Sequence, residues 1–301
     1  MSEGPLVSVV MPFLDVAAFL AEAIESVRAQ TYARWELLLC DDGATDGSSD
    51  VARAYVALDP ERIRYLTHEG GGNRGASAAR NLGLRHARGE IIAMLDGDDV
   101  WFPDKLAAQI AILAERPDAD ALYGATEYWY SWTGAPEDAE RDYFPPAGIA
   151  PDTLLAREEL IARLLRREMM SPCTCSMVVR ADAVRRAGGF VEEFRHIYTD
   201  QVFYARLSLV ATVLYVDHCW DRYRRHSASA YAGVQRAGEG GVARLHFLTW
   251  LEGFLAQDGV RSGPALRIAL RAALRRERHP RMFGLIDRAR ATLRRSTGRW
   301  R

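Results

Sequence analysis

The 301-residue sequence holds no apolar run long enough to cross a bilayer, and Met1-Ser2-Glu3-Gly4-Pro5 lacks the basic segment followed by an apolar one that opens an export signal. A cytoplasmic protein is expected, at most peripheral at the inner face of a membrane. Cysteine is scarce as well. Cys40, Cys173, Cys175 and Cys219 form no C-x-x-C, and disulfide frameworks belong to small secreted domains, so buried free thiols are expected, with zinc ligation as the alternative. An excess of one charge is also missing: the net is −1, and no nucleic-acid partner is expected. The balance is uneven along the chain. Residues 261–301 carry thirteen arginines against Glu277 and Asp287, about +11, which leaves about −12 on the rest.

What is present is an alternation of short apolar runs with helical periodicity, in a chain long enough for one large α/β domain with a helical appendage. Residues 6–12, 35–40 and 62–66 read as strands, with helices at 17–30, 48–58 and 76–87 between and after them. Asp46 or Ser48 is expected to cap the second helix. A βαβ series of this kind builds a mostly parallel sheet with right-handed crossovers. Gly70-Gly71-Gly72-Asn73-Arg74-Gly75 formally satisfies G-x-G-x-x-G, yet it follows the third strand, whereas a dinucleotide fold carries that motif on its first turn. The first turn here, Phe13-Leu14-Asp15, has no glycine. Further on, helices are predicted at 105–115, 181–187 and from 199, with strands at 121–124, 171–180 and 213–216. Tyr128, Trp129, Tyr130 and Trp132 are expected to pack rather than to stack on a ligand, and residues 137–152 read as a mobile loop near an entrance.

The chain is organised around residues 89–103. Ile91 to Leu95 is a strand apolar on both faces that runs out into Asp96-Gly97-Asp98-Asp99. In open α/β sheets ligands bind beyond the carboxyl ends of the strands. Clustered carboxylates there repel one another unless a divalent cation and substrate phosphates neutralise them. A solvated acidic turn is the plain alternative.

Several motifs in order carry a resemblance: Val7-Ser8-Val9-Val10-Met11-Pro12, Gln30-Thr31-Tyr32, Trp35-Glu36-Leu37, Asp41 to Ser48, Ala79-Arg80-Asn81, Gly89-Glu90, Asp96-Gly97-Asp98-Asp99, Gly188-Gly189-Phe190, Asp200 and His226-Ser227. Over residues 6–230 the chain resembles the family 2 glycosyltransferases. That resemblance implies the GT-A nucleotide-diphospho-sugar transferase fold, a mostly parallel central sheet flanked by helices, over residues 1–232, followed by a basic helical C-terminal extension over 233–301. It implies an inverting hexosyl transfer of one sugar per encounter, because the Q-x-x-R-W element of processive synthases is absent. The donor would be a nucleotide-diphosphate sugar, a UDP-sugar favoured, and Mn²⁺ or Mg²⁺ would be held by Asp98 with His226. Pro12, Phe13, Asp15, Asp41, Asp42, Arg80, Asp96 and Gly97 would line the nucleotide sugar, Asp42 and Asp41 at the base and Asp96 at the ribose. Asp200 would be the general base, and Asp99 would brace the loop. Phe13-Leu14-Asp15 departs from the family's usual aromatic-Asn pair, which leaves the nucleotide open and makes Phe13 the substitute for base stacking. The acceptor is undefined among lipid-linked, glycan, peptide and small-molecule hydroxyls. The arginines after 261 have three destinations: anionic lipid, the acidic domain itself, or the face of a homo-oligomer. A nucleotidyltransferase on a related sheet and a non-catalytic sugar-nucleotide module are the rival readings.

Overall fold

The computed structural model describes residues 4–279, apart from 228 and 239. The elements are β1 Val7–Phe13, α1 Ala17–Arg28, β2 Trp35–Asp41, α2 Ser48–Leu58, β3 Ile63–Thr67, α3 Ala76–His86, β4 Ile91–Met94, β5 Val100–Trp101, α4 Lys105–Glu115 and β6 Ala121–Trp129. Then follow α5 Pro136–Ala139, β7 Thr153–Leu155, α6 Glu159–Arg166, β8 Val178–Arg180, α7 Ala181–Ala187, α8 Thr199–Val210, β9 Val213–Arg224, α9 Ala230–Ala237, α10 Gly240–Leu255 and α11 Pro264–Arg278.

β1 and β2 are buried along their whole length, which is what their unbroken apolar runs require: each has a layer on both faces. Against one face α1 lays Leu20, Ala23, Ile24 and Val27, the i, i+3, i+4, i+7 stripe of an amphipathic helix. At about 1.5–3 kcal/mol for each large aliphatic side chain removed from water, this stripe outweighs any helix-propensity term. The sheet runs β3-β2-β1-β4-β8-β6-β9-β5, with β7 also paired to β9. β3, β2, β1 and β4 are parallel, β8 is antiparallel to both β4 and β6, and β9 is parallel to β6. The chain leaves β1 first toward β2 and β3 and later returns on its other side as β4. The crevice between the carboxyl ends of β1 and β4 is therefore the topological switch point.

Residues 171–180 do not form one strand. Pro172 has no amide to donate, Thr174–Ser176 winds into a 3₁₀ turn, and only Val178–Arg180 pairs. In the opposite sense, β6 and β9 run far beyond 124 and 216, paired as far as Trp129 and Arg224 through two irregularities in register. Along this extension the aromatics do pack: Tyr128 lies edge-on to Tyr223 and Trp132 edge-on to Phe19. The 137–152 stretch is tied to β6, because Tyr143 exchanges backbone bonds with Tyr128 and Asp142 accepts the amides of Tyr130 and Ser131. The helices after 232 join the same core as α6 and α8, through Phe247, Leu248 and Leu251 of α10 and Leu266, Leu270 and Leu274 of α11. No helix among the described residues is long and apolar enough to cross a membrane. Pro280 and the arginines from Arg281 on lie outside the described residues.

Candidate active site

The carboxyl ends of β1, β2 and β4 deliver their acids to one crevice. Just past β4, Leu95 donates its amide to Val10 O and Gly97 donates to Pro12 O, so the loop after β4 lies directly on the end of β1. A Cβ at Gly97 would stand 3.0 Å from Phe13 Cβ and 3.1 Å from Val16 Cγ2, tighter than ordinary van der Waals contact. Pro12 and Phe13 are buried beneath them, with the Phe13 ring 6.5 Å from that of Tyr65.

Asp41 and Asp42, at the end of β2, are both buried. Asp41 Oδ1 accepts the amides of Gly43 and Ala44, and Oδ2 accepts the hydroxyls of Ser49 and Tyr65. Burial opposes its charge, but these four donors prevail and hold the carboxyl below the usual range. Asp42 reaches the glycine-rich loop instead: Oδ1 accepts the amides of Arg74 and Gly75, and Oδ2 that of Gly75. Gly75 has φ +95°, a conformation that favours glycine, and its amide points back at β2 as α3 begins. Asp15, exposed on the first turn, accepts the Thr45 amide at 2.7 Å and so joins the loops after β1 and β2.

Arg80, on α3, is buried between two elements. One guanidinium nitrogen donates to Asp96 Oδ1 at 2.7 Å and the other to Thr199 Oγ1 at 3.1 Å, at the start of α8. Burial works against its charge, yet Asp96 and, farther off, Asp200 keep it more firmly protonated than a free arginine. Asp200 stands in the first turn of α8. Burial pushes its carboxyl above the ordinary aspartate value, with the Gln201 amide and Arg80 pulling the other way.

Asp98 and His226, 128 positions apart, meet with His226 Nε2 2.9 Å from Asp98 Oδ2. The residue that brings them together is Arg224, which the motifs did not single out. Its amide donates to Asp99 Oδ1, its Nε to Asp98 O, and its terminal nitrogen to Glu22 Oε2, while the guanidinium lies 4.8 Å from the Phe19 ring centroid and 4.5 Å from that of Trp129. Asp99 thus braces the loop, as expected. One carboxylate and one imidazole, both partly buried, form a donor pair that suits Mn²⁺ and, through its oxygen, Mg²⁺. Beside His226 opens a cavity of about 340 Å³ lined by Tyr130, Trp132, Arg141 and Arg225. A larger one, about 840 Å³, lies at the other end of β4 against Gly89, Glu90 and Arg180.

A model of the family described as Glycosyl transferase family 2 matches residues 8–187. The chain belongs to glycosyltransferase family 2. Within the match lie Pro12, Phe13, Asp15, Asp41, Asp42, Arg80, Asp96, Gly97 and Asp98, whereas Asp200 and His226 follow it, Asp200 next to the Thr199 that Arg80 holds and His226 in contact with Asp98. Among its family 2 relatives is the Escherichia coli UDP-Glc:alpha-D-GlcNAc-diphosphoundecaprenol beta-1,3-glucosyltransferase WfgD, 39% identical over 122 residues, which are 40% of this chain and 46% of that one. The match thus spans less than half of that relative's length. Two solved structures share the fold. S. aureus TarS 1-349 with UDP-GlcNAc superposes with a TM-score of 0.69 at 17% identity, covering 91% of this chain and 73% of that one. The mannosyltransferase PcManGT of Pyrobaculum calidifontis, in complex with GDP-Man and Mn²⁺, gives 0.59 at 18%, covering 91% and 70%. The family 2 chain therefore has the GT-A architecture, a mixed and mostly parallel sheet flanked by helices with further helices at the C-terminus.

Proposed function

We propose that this chain transfers a single sugar from a nucleotide-diphosphate sugar to an acceptor hydroxyl, inverting the anomeric centre, with Asp200 as general base. The observation that carries the reading is Arg80: by holding Asp96 with one nitrogen and Thr199 with another, it fixes the first turn of α8 across the crevice from the carboxylates after β4. A UDP-sugar is the favoured donor, in keeping with the donor in WfgD's name and with the UDP-GlcNAc bound by TarS.

Asp98 and His226 would hold Mn²⁺ or Mg²⁺, which when bound supplies Lewis-acid stabilisation to the leaving diphosphate. In this reading Asp42 and Asp41 would face the base with Phe13 beneath it, and Asp96, which Arg80 holds, would face the ribose. Pro12, Asp15 and Gly97 shape the floor and rim of that pocket. As the bond to the anomeric carbon breaks, the sugar becomes oxocarbenium-like. An acceptor hydroxyl is a poor nucleophile, and the Asp200 carboxylate takes its proton as it attacks from the opposite face. The aromatic and arginine-lined cavity beside His226 is the acceptor's approach. Its arginines suit an acceptor that carries phosphate, such as a lipid diphosphate, and the basic C-terminus would bring the enzyme to the membrane that holds it.

Thermal shifts with UDP, GDP and their sugars, each with and without Mn²⁺, test the donor side, since a ligand at 100 times its Kd adds about 2.7 kcal/mol. Nucleotide and Mn²⁺ should each tighten the other, coupling being reciprocal. Asp98→Ala should abolish that coupling while the protein stays folded. Metal-dependent nucleotide binding undiminished in Asp98→Ala would remove Asp98 from the role, and binding without any transfer or donor hydrolysis would leave a non-catalytic module.

A further inference from the structure

Beside the carboxylate loop the chain gathers a second set of ligands. Asp99 is 1% exposed and its Oδ1 accepts the Arg224 amide, but its Oδ2 is buried without a hydrogen-bond partner. Facing it are the sulfurs of Cys173 and Cys175, 3.1 Å apart, and one ligand atom from each of the three residues lies within 4.8 Å of the others. The 3₁₀ turn Thr174–Ser176 puts both sulfurs of this C-x-C on one side. That turn is fastened by three buried donors: Trp101 Nε1 to Cys175 O, and Lys105 Nζ and Gln109 Nε2 to Ser176 O, each at 2.9 Å.

We propose that Asp99, Cys173 and Cys175 form a zinc site, separate from the Asp98–His226 pair. The donor chemistry decides the metal. Two sulfurs and one oxygen are soft enough to select zinc over Mn²⁺ or Mg²⁺, which prefer oxygen. Three protein ligands leave the fourth corner of a tetrahedron for water. A small cavity of about 40 Å³ against Cys173 and Tyr128 has room for one. In the metal-free chain the Cys175 thiol donates to Asp221 Oδ1 at 3.4 Å, so that acid is placed to take its proton as metal binds, and Lys105, the chain's only lysine, lies with Nζ 3.9 Å from Asp221 Oδ2, offsetting its charge. Cys173 is partly exposed, which gives the ion a way in. A metal held by Asp99 would stiffen the loop whose next residue toward the N-terminus is Asp98.

The test uses the full chain, fully reduced and stripped with chelator. Titration with Co²⁺ should give a thiolate-to-cobalt charge-transfer band and tetrahedral d–d bands at one metal per chain, erased by equimolar Zn²⁺. Cys173→Ser should lose the band and weaken zinc by more than the roughly 10–100-fold that an outer-shell change costs. Asp98→Ala should keep the band, which separates this site from the proposed donor metal. A measurement on the unmodified protein covers the chance that a variant unfolds: zinc should shield Cys173 and Cys175 from alkylation and leave Cys219 unchanged. A reduced protein with no thiolate–cobalt band, or with Cys173 alkylated at the same rate with and without zinc, would overturn the proposal. So would a Cys173–Cys175 disulfide formed on oxidation by a reduced form that takes no metal.

Discussion

At the scale of single residues the assignment turns on Asp200, because its carboxyl is the group that a transfer to an acceptor hydroxyl needs and a helix start does not. Burial raises its pKa, which makes it a better proton acceptor than a solvated aspartate, and Arg80 keeps the shift within bounds. The sign of the pH dependence follows. A base works only when ionised, so kcat/KM should fall as pH is lowered through a value above the ordinary aspartate range. Asp200→Asn is nearly isosteric and serves a helix start about as well, so it should keep nucleotide and Mn²⁺ affinity while transfer drops about 10²–10⁴-fold and the acid limb disappears. Steady-state rates over pH, with calorimetry of UDP and Mn²⁺ on the same variant, measure both. Transfer at near-normal rates in Asp200→Asn would move the base elsewhere, with Glu192, Glu193 and His196 the nearest candidates in sequence.

At the scale of elements, the starts of α1 and α2 are served by the same side chains. The N-cap residue of α2 is Gly47 in the left-handed conformation, and Asp46 serves that helix from one position earlier, its Oδ1 accepting the amide of Ser48 at 3.0 Å. Both also serve α1 from the neighbouring loop after β2: Asp46 Oδ2 accepts the Ala17 amide at 2.8 Å and Ser48 Oγ accepts that of Val16 at 2.9 Å. Asp46→Ala should cost about 0.5–2 kcal/mol, as loss of a cap does. Burial opposes the Asp46 charge, but the Ser48 and Ala17 donors hold its pKa down, so its contribution is complete at neutral pH and fades as pH falls through the depressed value. Urea unfolding of both proteins at pH 7 and in acid should show a gap that closes; a gap constant with pH would mean that the charge contributes nothing. The same level explains what was legible in the sequence. β1, β2 and β4 announce themselves because strands covered on both faces must be apolar throughout, and the acids beyond their ends gather at one crevice. β5 and β7, of two and three residues, owe their pairing to β9 far along the chain, and no local pattern marks them. Arg224 was hidden for a like reason: in Tyr223-Arg224-Arg225-His226 nothing distinguishes it from its neighbour until Phe19, Glu22 and Trp129 close around it.

At the scale of the molecule, the described part of the basic end shares one core with the acidic part of the chain, which decides how that end can be tested. α11 buries Leu266, Ala269, Leu270, Ala273 and Leu274 against α6 and α10, so removing the chain from 262 onward would expose that face and confuse folding with binding. Its other face carries Arg267, Arg271 and Arg275 at intervals of four, all exposed, with Ile268 beside them 60% exposed. With its apolar face taken up by the core, this helix would meet an anionic surface through charge alone. Each basic residue there adds about 1 kcal/mol, so replacing all three with glutamine should weaken binding to anionic vesicles on the order of 100-fold without lowering Tm. Sedimentation with phosphatidylglycerol vesicles reads this directly, and the effect should shrink with added salt as screening removes it. Equal sedimentation of both proteins would place any membrane contact away from this face. Dissociation of a dimer by the same substitutions, with vesicle binding absent throughout, would assign the arginines to a contact between two copies of the chain.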